Sequence, residues 1–218
     1  MPGVMVWDVT VQQDFIPPKG KLPVPGAAEA IPRIASLLAR ARRRGVQRMS
    51  IACEHRLEDA CIALRGWNMT TTFPPHCLRG TPGAGQAPEV RQVLAGIPPP
   101  SRSRGPVPSR ADSEGGLHVL VRGFDPFSEP EAERLLDAAD PSAVVICGFP
   151  LELSVRASVT GLLARGRTVR LVREAVAALQ AEAGAKLLDE WRAAGVEIHD
   201  RAPDGDDEGP AAAPIWRQ

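Results

Sequence analysis

The sequence has little of what would place it in several large classes of protein. It contains no tyrosine and only 4% aromatic residues, and its 26 basic side chains are balanced by 26 acidic ones. A formal net charge of zero gives no reason to expect binding to nucleic acid or to an anionic membrane surface. No apolar run is long enough to cross a membrane, and no basic segment precedes an apolar one at the amino terminus. We therefore expect neither a membrane span nor a signal peptide.

Cysteine is scarce as well. The four cysteines form no CxxC pair, and two of them, Cys53 and Cys147, lie in apolar runs typical of strands. This pattern predicts reduced thiols in a cytoplasmic protein rather than disulfides. The 218 residues, 44% of them hydrophobic, are enough for a single domain with a full core.

Short apolar runs alternate with amphipathic segments along the chain. The apolar runs predict six strands, at residues 4–11, 46–53, 117–121, 144–147, 168–172 and 196–199. The amphipathic segments predict helices at residues 27–44, at 129–139, from about 151, and at 175–194. This alternation favours an α/β fold with a parallel, doubly wound sheet and right-handed crossovers.

Two stretches interrupt or follow this pattern. Residues at about 81–116 are rich in proline, glycine and serine, and apart from an amphipathic run at 90–97 they predict a surface loop. Residues 201–218 are acidic and rich in glycine, proline and alanine, which predicts a disordered tail. We therefore expect one domain over residues 1–200.

A buried strand, a glycine and the start of a helix are combined in the segment VVICGFPLELSVRASV, at residues 144–159. Gly148 ends the strand, and apolar residues recur at helical spacing from Leu151. Ser154 falls in the first helical turn, where exposed backbone N–H groups and the helix dipole favour a nucleophile or an anion. Open α/β sheets bind their ligands at such turns.

This segment resembles the central turn of the isochorismatase-like cysteine hydrolase superfamily, which includes isochorismatases and nicotinamidases. Those proteins carry a Gly-Val-Ala-Thr-Asp-x-Cys-Val turn, and the cysteine, six residues after the glycine, is the nucleophile. In this chain the sixth residue after Gly148 is Ser154, followed by Val155. The resemblance extends over residues 6–199 and implies a three-layer α/β/α sandwich with a Rossmann-like sheet.

The superfamily's amino-terminal signature is matched by the run WDVTVQQDF. In those proteins a strand ends in Asp-x-Gln-x-Asp-Phe, and the first Asp is the general base. Aligning Gln12, Asp14 and Phe15 places Thr10 at that position. Asp8 is on the same face of the strand but about 6–7 Å further back. It is a poor substitute unless the strand slips, and we expect it to make local hydrogen bonds near the strand end.

The catalytic lysine of the superfamily ends a strand shortly before an Asp-x-Phe motif, which here begins at Asp125. Counting back from that motif gives Val121, and a shift of one residue gives Arg122. Arginine stays protonated and cannot shuttle a proton as a lysine of lowered pKa can. The resemblance therefore implies that the lysine is lost.

The superfamily's turn has a cis peptide before an alanine, and the N–H of that alanine helps to form the oxyanion hole. Here the residue is Pro150, which has no N–H. Loss of one such donor typically costs about 2.7–4 kcal/mol of transition-state stabilisation. We expect the bond between Phe149 and Pro150 to be cis, because the cis form is accessible before proline.

Two histidines lie where nicotinamidases bind a divalent metal. His55 follows the second strand, and His76 lies in FPPHCLRGTPGA, which resembles the superfamily's Pro-Pro-His-Cys…Gly-Thr-x-Gly-Ala segment. The aspartate of that metal site is replaced by Cys53. A complete site needs three or four ligands. Two histidines without a clear third ligand predict hydrogen-bonding groups that line a pocket, so we expect no metal and no cofactor.

The resemblance implies a hydrolase family, and the replaced residues predict a catalytically degenerate member. A serine hydroxyl needs a positioned general base to act as a nucleophile. Retaining one member of a catalytic unit does not compensate for the loss of the other members. We expect the protein to bind a small molecule or a partner subunit through the old pocket, as a homo-oligomer or as a hetero-oligomer with a paralogue. The expected pocket residues are Asp14, Phe15, His55, His76, Arg122, Phe149, Pro150 and Leu151.

The alternative is a divergent hydrolase of an amide or vinyl ether with Ser154 as the nucleophile. Its base would be recruited from Asp8, Asp14 and His76. A hydrogen bond from Ser154 to His76 or to an aspartate would favour the enzyme. A pocket filled by an aromatic side chain, Phe15 or Trp67, would favour a structural subunit.

Overall fold

The computed structural model of the protein describes residues 3–95, 116–201 and 214–216. No helix within these ranges has the length and apolar character needed to cross a membrane. Most of the predicted loop at 81–116 and of the predicted tail at 201–218 lies outside the described residues.

Six parallel strands form one sheet. In chain order they are β1 (Val4–Val9), β2 (Gln47–Cys53), β3 (Leu117–Val121), β4 (Ala143–Gly148), β5 (Thr168–Val176) and β6 (Glu197–His199). Their spatial order is β3-β2-β1-β4-β5-β6. The chain begins in the middle of the sheet, builds outward through β2 and β3, and then returns to place β4 beside β1. This confirms the predicted doubly wound sheet, and its switch point between β1 and β4 is where such folds bind ligands.

Helices cover both faces of the sheet and complete the three-layer α/β/α sandwich. Those in the described ranges are α1 (Ala27–Arg43), α2 (Pro88–Ala95), α3 (Pro130–Ala139), α4 (Arg156–Ala164) and α5 (Ala181–Ala193). Helix α1 shows why they pack: Ile34, Leu37 and Leu38 form one buried stripe, while arginines occupy its last turn and complement the dipole. The strands β1 and β4 are buried along their whole length, which explains their continuous apolar runs.

Two predicted boundaries differ from those observed. β1 ends at Val9 instead of residue 11, because Thr10 adopts a left-handed conformation with a φ of 48°. β5 continues to Val176, and α5 begins at Ala181 instead of residue 175. Val176 pairs with Gly148 on β4, so pairing within the sheet outweighs the helix propensity of the neighbouring alanines.

Asp8 lies one residue before the end of β1, within the sheet. It is 1% exposed, and its carboxylate accepts hydrogen bonds from Arg48 Nε at 2.5 Å, Ser50 Oγ at 2.8 Å and Gln86 Nε2 at 3.2 Å. Arg48 and Ser50 belong to the neighbouring strand β2, so these partners are close in space and distant in sequence. The prediction of local hydrogen bonds is therefore wrong, and Asp8 is the acidic half of a buried ion pair.

A 3₁₀ turn, Pro214–Trp216, packs against the domain near the end of the chain. Ile215 and Trp216 are buried, and Ile215 O accepts a hydrogen bond from Arg170 Nη1 at 3.2 Å. The predicted disordered tail therefore does not include these residues. Within the predicted loop at 81–116 there is a 3₁₀ turn, Pro82–Ala84, and the helix α2 overlaps the amphipathic run that was expected at 90–97.

Candidate functional site

The ends of β1 and β4 approach each other closely at the switch point of the sheet. Gly148 has a φ of 124°, and a Cβ added to it would lie 2.0 Å from Val9 O, so only glycine fits. Phe149 N donates a hydrogen bond to Val9 O at 3.1 Å, and Thr10 Oγ1 donates one to Phe149 O. The Thr10 hydroxyl therefore links the ends of β1 and β4, and its proton is engaged in the hydrogen bond to Phe149 O.

The turn after β4 follows the path expected from the sequence. The Phe149–Pro150 bond is cis, as predicted. A π-helical turn, Leu151–Val155, then leads into α4. Because Pro150 has no N–H, the turn offers no donor at that position. Leu151 is 3% exposed and packs toward α5, where a Cβ added to Gly184 would lie 3.4 Å from its Cδ1.

Ser154 is completely buried in this turn, and its Oγ has no hydrogen-bond partner among the described residues. Its side chain lies against Cys53 at the end of β2. Burial raises the pKa of the Cys53 thiol to about 12. The thiol donates a hydrogen bond to Gly123 O at 3.2 Å. A thiol held in its protonated form cannot serve as a base for Ser154.

Val121 lies beside Cys53 in the sheet and is fully buried. The fold thus brings Ser154, Cys53 and Val121 together at the carboxyl ends of the strands, with Thr10 bonded to the same turn. Arg122 does not join them, since its side chain is 60% exposed and pairs with the carboxylate of Asp59. This corrects the expectation that Arg122 lines the pocket: a carboxylate on the neighbouring loop holds its guanidinium.

His55 and His76 form a buried pair with their ring centroids 4.7 Å apart. Phe124 stacks on His76 at 5.9 Å, while Phe15 and Phe73 meet it edge-on at 5.4 Å and 6.2 Å. Both histidines have no solvent exposure. The predicted pocket histidines are therefore enclosed by aromatic rings, of which Phe15 is one.

Both histidines are neutral near pH 7. Burial lowers the pKa of His76 to about 4, and burial also lowers the pKa of His55, although Asp59 opposes that shift. His76 Nδ1 lies 2.8 Å from Pro74 O, and a carbonyl only accepts, so Nδ1 carries the ring proton. The Nε2 atoms of both rings are buried and lack a hydrogen-bond partner within the described part of the chain. The site therefore presents one assigned neutral acceptor nitrogen, Nε2 of His76.

Asp14 positions the loop that carries His76. Its Oδ2 accepts a hydrogen bond from Cys77 N at 2.7 Å, and a Cβ added to Gly83 would lie 2.2 Å from its carboxyl group. The carboxylate is thus committed to the backbone next to His76. This arrangement assigns Asp14 a positioning role.

Gln12 makes a second such link, which sequence reasoning missed. Its Oε1 accepts from Cys53 N and its Nε2 donates to Cys53 O, both at 2.8 Å, and Nε2 also donates to Ala84 O at 2.7 Å. Gln12 belongs to the matched amino-terminal signature, and that match could have indicated that its side chain has a role in the site. Asp59 was also missed, although it stands four residues after His55. No pattern in the sequence indicates that Phe124 stacks on the histidine pair.

A family model for the isochorismatase domain matches residues 4–203. The chain belongs to the isochorismatase family. None of the curated proteins matches it.

Several solved structures share the fold of this chain at low sequence identity. The pyrazinamidase of Pyrococcus horikoshii, in complex with zinc, is 22% identical with a TM-score of 0.71, over 91% of this chain and 99% of that one. The nicotinamidase of Bacillus subtilis is 15% identical with a TM-score of 0.75, over 92% and 100%. The N-carbamoylsarcosine amidase of Thermoplasma acidophilum is 19% identical with a TM-score of 0.69, over 94% and 99%. At these identities the likeness extends to the fold alone.

The divalent metal implied by the isochorismatase-like resemblance does not fit the residues of this chain. Zinc binds cysteine as a thiolate, whereas the fully buried Cys53 thiol is directed to Gly123 O, to which it donates a hydrogen bond. His55 Nδ1 faces Asp59 Oδ2 at 3.6 Å and Cys61 Sγ at 3.6 Å. Across the described ranges, no three side chains of the ligand types are grouped to hold a metal ion.

Proposed function

We propose that this member of the isochorismatase family is catalytically degenerate and acts by binding a small molecule or a partner subunit. The observation that carries the proposal is the environment of Ser154. Its hydroxyl is buried, has no hydrogen-bond partner among the described residues, and adjoins a protonated thiol. A serine becomes a nucleophile only when a base removes its proton.

The other positions of the catalytic unit support the same proposal. Thr10 has no basic group and donates its proton to Phe149 O. Val121 is apolar, and the Arg122 guanidinium is paired with Asp59 outside the buried site. Pro150 cannot supply an oxyanion donor. The base, the cation and one oxyanion donor are therefore all replaced, and the effects of such losses are not independent.

The test is hydrolysis of the amides and vinyl ethers on which members of this family act. We expect no turnover of nicotinamide, pyrazinamide, N-carbamoylsarcosine or isochorismate by the purified protein. Ser154→Cys is expected to be equally inactive, because a thiol alone restores neither the base nor the oxyanion donor. Turnover by the unmodified protein that Ser154→Ala abolishes would overturn the proposal.

The second candidate, a divergent hydrolase that uses Ser154, is favoured by one observation. His76 keeps a lone pair on Nε2, and its pKa of about 4 leaves it unprotonated at neutral pH. Rearrangement of the turn could bring this base to Ser154 Oγ. Activity lost in both Ser154→Ala and His76→Gln would support this candidate, provided that both variants remain folded.

The binding role has its own tests. Phe15 and the other rings around His76 leave the old pocket closed, so we expect a ligand there only if these rings move. A thermal-shift screen of aromatic acids, amides and nucleosides tests that expectation. Light scattering after size exclusion, with the protein alone and with an active paralogue, tests the proposed homo-oligomer or hetero-oligomer. The cytoplasmic location stays a prediction and is tested by fractionation of the source cells.

A further inference from the structure

The loop that follows β2, at residues 56–72, carries an exposed apolar surface. Five large apolar side chains of the described residues are exposed, and four of them belong to this loop: Leu57, Leu64, Trp67 and Met69. A single exposed apolar residue is ordinary, but several gathered in one segment indicate a site of contact with another molecule. Tryptophan and methionine are also enriched where proteins meet.

The tip of this loop is ordered by its own hydrogen bonds. Asn68 Oδ1 accepts from the backbone N–H groups of Thr70, Thr71 and Thr72, at 2.9, 2.8 and 3.0 Å. Met69 adopts a φ of 58°, a left-handed conformation that is uncommon for any residue except glycine. Because the tip is already fixed, a partner that binds it pays less for ordering the chain.

An apolar cleft of about 920 Å³ adjoins the loop, and Leu64, 69% exposed, and Trp67, 44% exposed, form part of its wall. Proline offers carbon surface without a backbone donor, and much of the remaining wall is proline: Pro17, Pro18, Pro74, Pro75, Pro82 and Pro88. An exposed apolar loop therefore lies beside an apolar recess. A second copy can match such a surface by a two-fold rotation, because each copy then offers the other what it receives.

The charged side chains of the cleft are balanced. Lys19 and Lys21 line it together with Asp14 and Glu89. The Asp14 carboxylate is buried, whereas the other three side chains are exposed. This balance favours neither an anionic nor a cationic ligand. It suits a second copy of the same surface, because the lysines of one copy can face Glu89 of the other and the reciprocal contact forms at the same time.

We propose that residues 56–72 and the adjoining cleft join two copies of this chain in a two-fold dimer. Trp67 of each copy contacts the proline wall of the other. Lys19 and Lys21 of each copy pair with Glu89 of the other. The inference goes beyond the proposed function, which leaves the partner and its surface open, and it holds whether or not the buried site hydrolyses a substrate.

The experiment is sedimentation equilibrium of the full-length protein over a range of concentrations. We expect a reversible dimer. Trp67→Ala should raise its dissociation constant about tenfold or more, because a tryptophan anchored in a partner's pocket is a typical hot spot. Circular dichroism verifies that each variant is folded.

Charge reversal tests the pairing between copies. The double variant Lys19→Glu, Lys21→Glu and the single variant Glu89→Lys should each weaken the dimer about tenfold or more, because each places like charges opposite one another. An equimolar mixture of these two variants should dimerise again, since both reciprocal contacts then join opposite charges. The matched control is Glu190→Lys, which makes the same change of charge at an exposed position of α5 outside the cleft lining and should leave the dimer unchanged.

The inference is overturned if the unmodified protein is monomeric throughout, or if Trp67→Ala dimerises as the unmodified protein does. It is also overturned if the mixture of charge variants dimerises no better than either variant alone. A monomer would leave the loss of catalysis proposed for Ser154 standing. Hydrolysis by Ser154 would overturn the proposed function and leave the dimer intact.

Discussion

The imidazole rings of His55 and His76 lie 4.7 Å apart, centroid to centroid, and both are completely buried. The packing of Phe15, Phe73 and Phe124 around them removes water that would solvate an imidazolium. The pKa of each ring is lowered chiefly by this burial. The pair is therefore an acid-sensitive feature in the middle of the site.

We expect stability to fall as the pH falls from about 6.5 to about 4. The pKa of His76 is about 4 in the folded protein, against 6.5 for an unperturbed histidine, so the unfolded chain binds the proton first. The stabilisation is complete above pH 6.5 and is lost as the pH approaches 4. His76 alone should lower the free energy of unfolding by about 3 kcal/mol across this range, as measured by urea denaturation.

The controls for the acid effect are substitutions of single histidines. His76→Gln should reduce the pH dependence, because one of the two histidines with a lowered pKa is removed. His199→Gln should retain it, since His199 lies on β6, away from the histidine pair. A pH profile of the unmodified protein that is flat from 7 to 4 would contradict the assignment of a depressed pKa.

Gln12 should be important for stability although it lies beside the old active site. Gln12→Leu leaves the N–H and C=O of Cys53 without their side-chain partner in a buried setting. We expect a loss of about 1–3 kcal/mol in the free energy of unfolding. Gln13→Ala is the control, because Gln13 makes an exposed bond to Pro82 O and should change stability by less than about 0.5 kcal/mol. Equal effects of the two substitutions would show that Gln12 is not a structural link.

The buried pair of Asp8 and Arg48 should behave differently from a surface pair. Asp8→Leu alone leaves a buried guanidinium without its carboxylate, and we expect a loss of about 3–5 kcal/mol. The double variant Asp8→Leu, Arg48→Met should lose less, since no charge stays buried. Glu131→Ala, in an exposed pair with Arg134, should cost less than about 1 kcal/mol. Chemical denaturation measures all three, and additive losses in the double variant would count against a coupled pair.

Gly148→Ala should destabilise the turn after β4. The added Cβ would lie 2.0 Å from Val9 O, and the φ of 124° is unfavourable for a side chain. We expect a loss of at least about 3 kcal/mol in thermal or urea unfolding. Gly166→Ala measures the cost of the positive φ alone, because Gly166 has a φ of 66° and open space around an added Cβ. It should lower the free energy of unfolding by about 1–2 kcal/mol. A loss no greater than that of Gly166→Ala would mean that β4 shifts away from Val9 freely.

The local patterns of the sequence were sufficient to predict the succession of strands and helices along the chain and the residue types of the central turn. Apolar runs with a strand period and stripes with a helix period are encoded within ten to twenty neighbouring residues, so they survive in the sequence alone. The absence of an N–H at Pro150 and of a thiol at Ser154 follows from residue type. The boundary between β5 and α5 did not follow, because pairing of Val176 with Gly148 competes with local helix propensity.

Only the tertiary structure decided how the side chains of the site are used. Asp8 forms an ion pair with Arg48 on β2, and Arg122 forms one with Asp59 outside the buried site. The rings that close over His76 come from segments that are distant in sequence. A side chain's partner depends on which groups the packed strands bring within about 3 Å and on the cost of burying charge there. The contacts between packed strands and the cost of burying charge both depend on residues that are distant in sequence. Neither produces a periodic pattern among neighbouring residues, so neither can be predicted from the sequence alone.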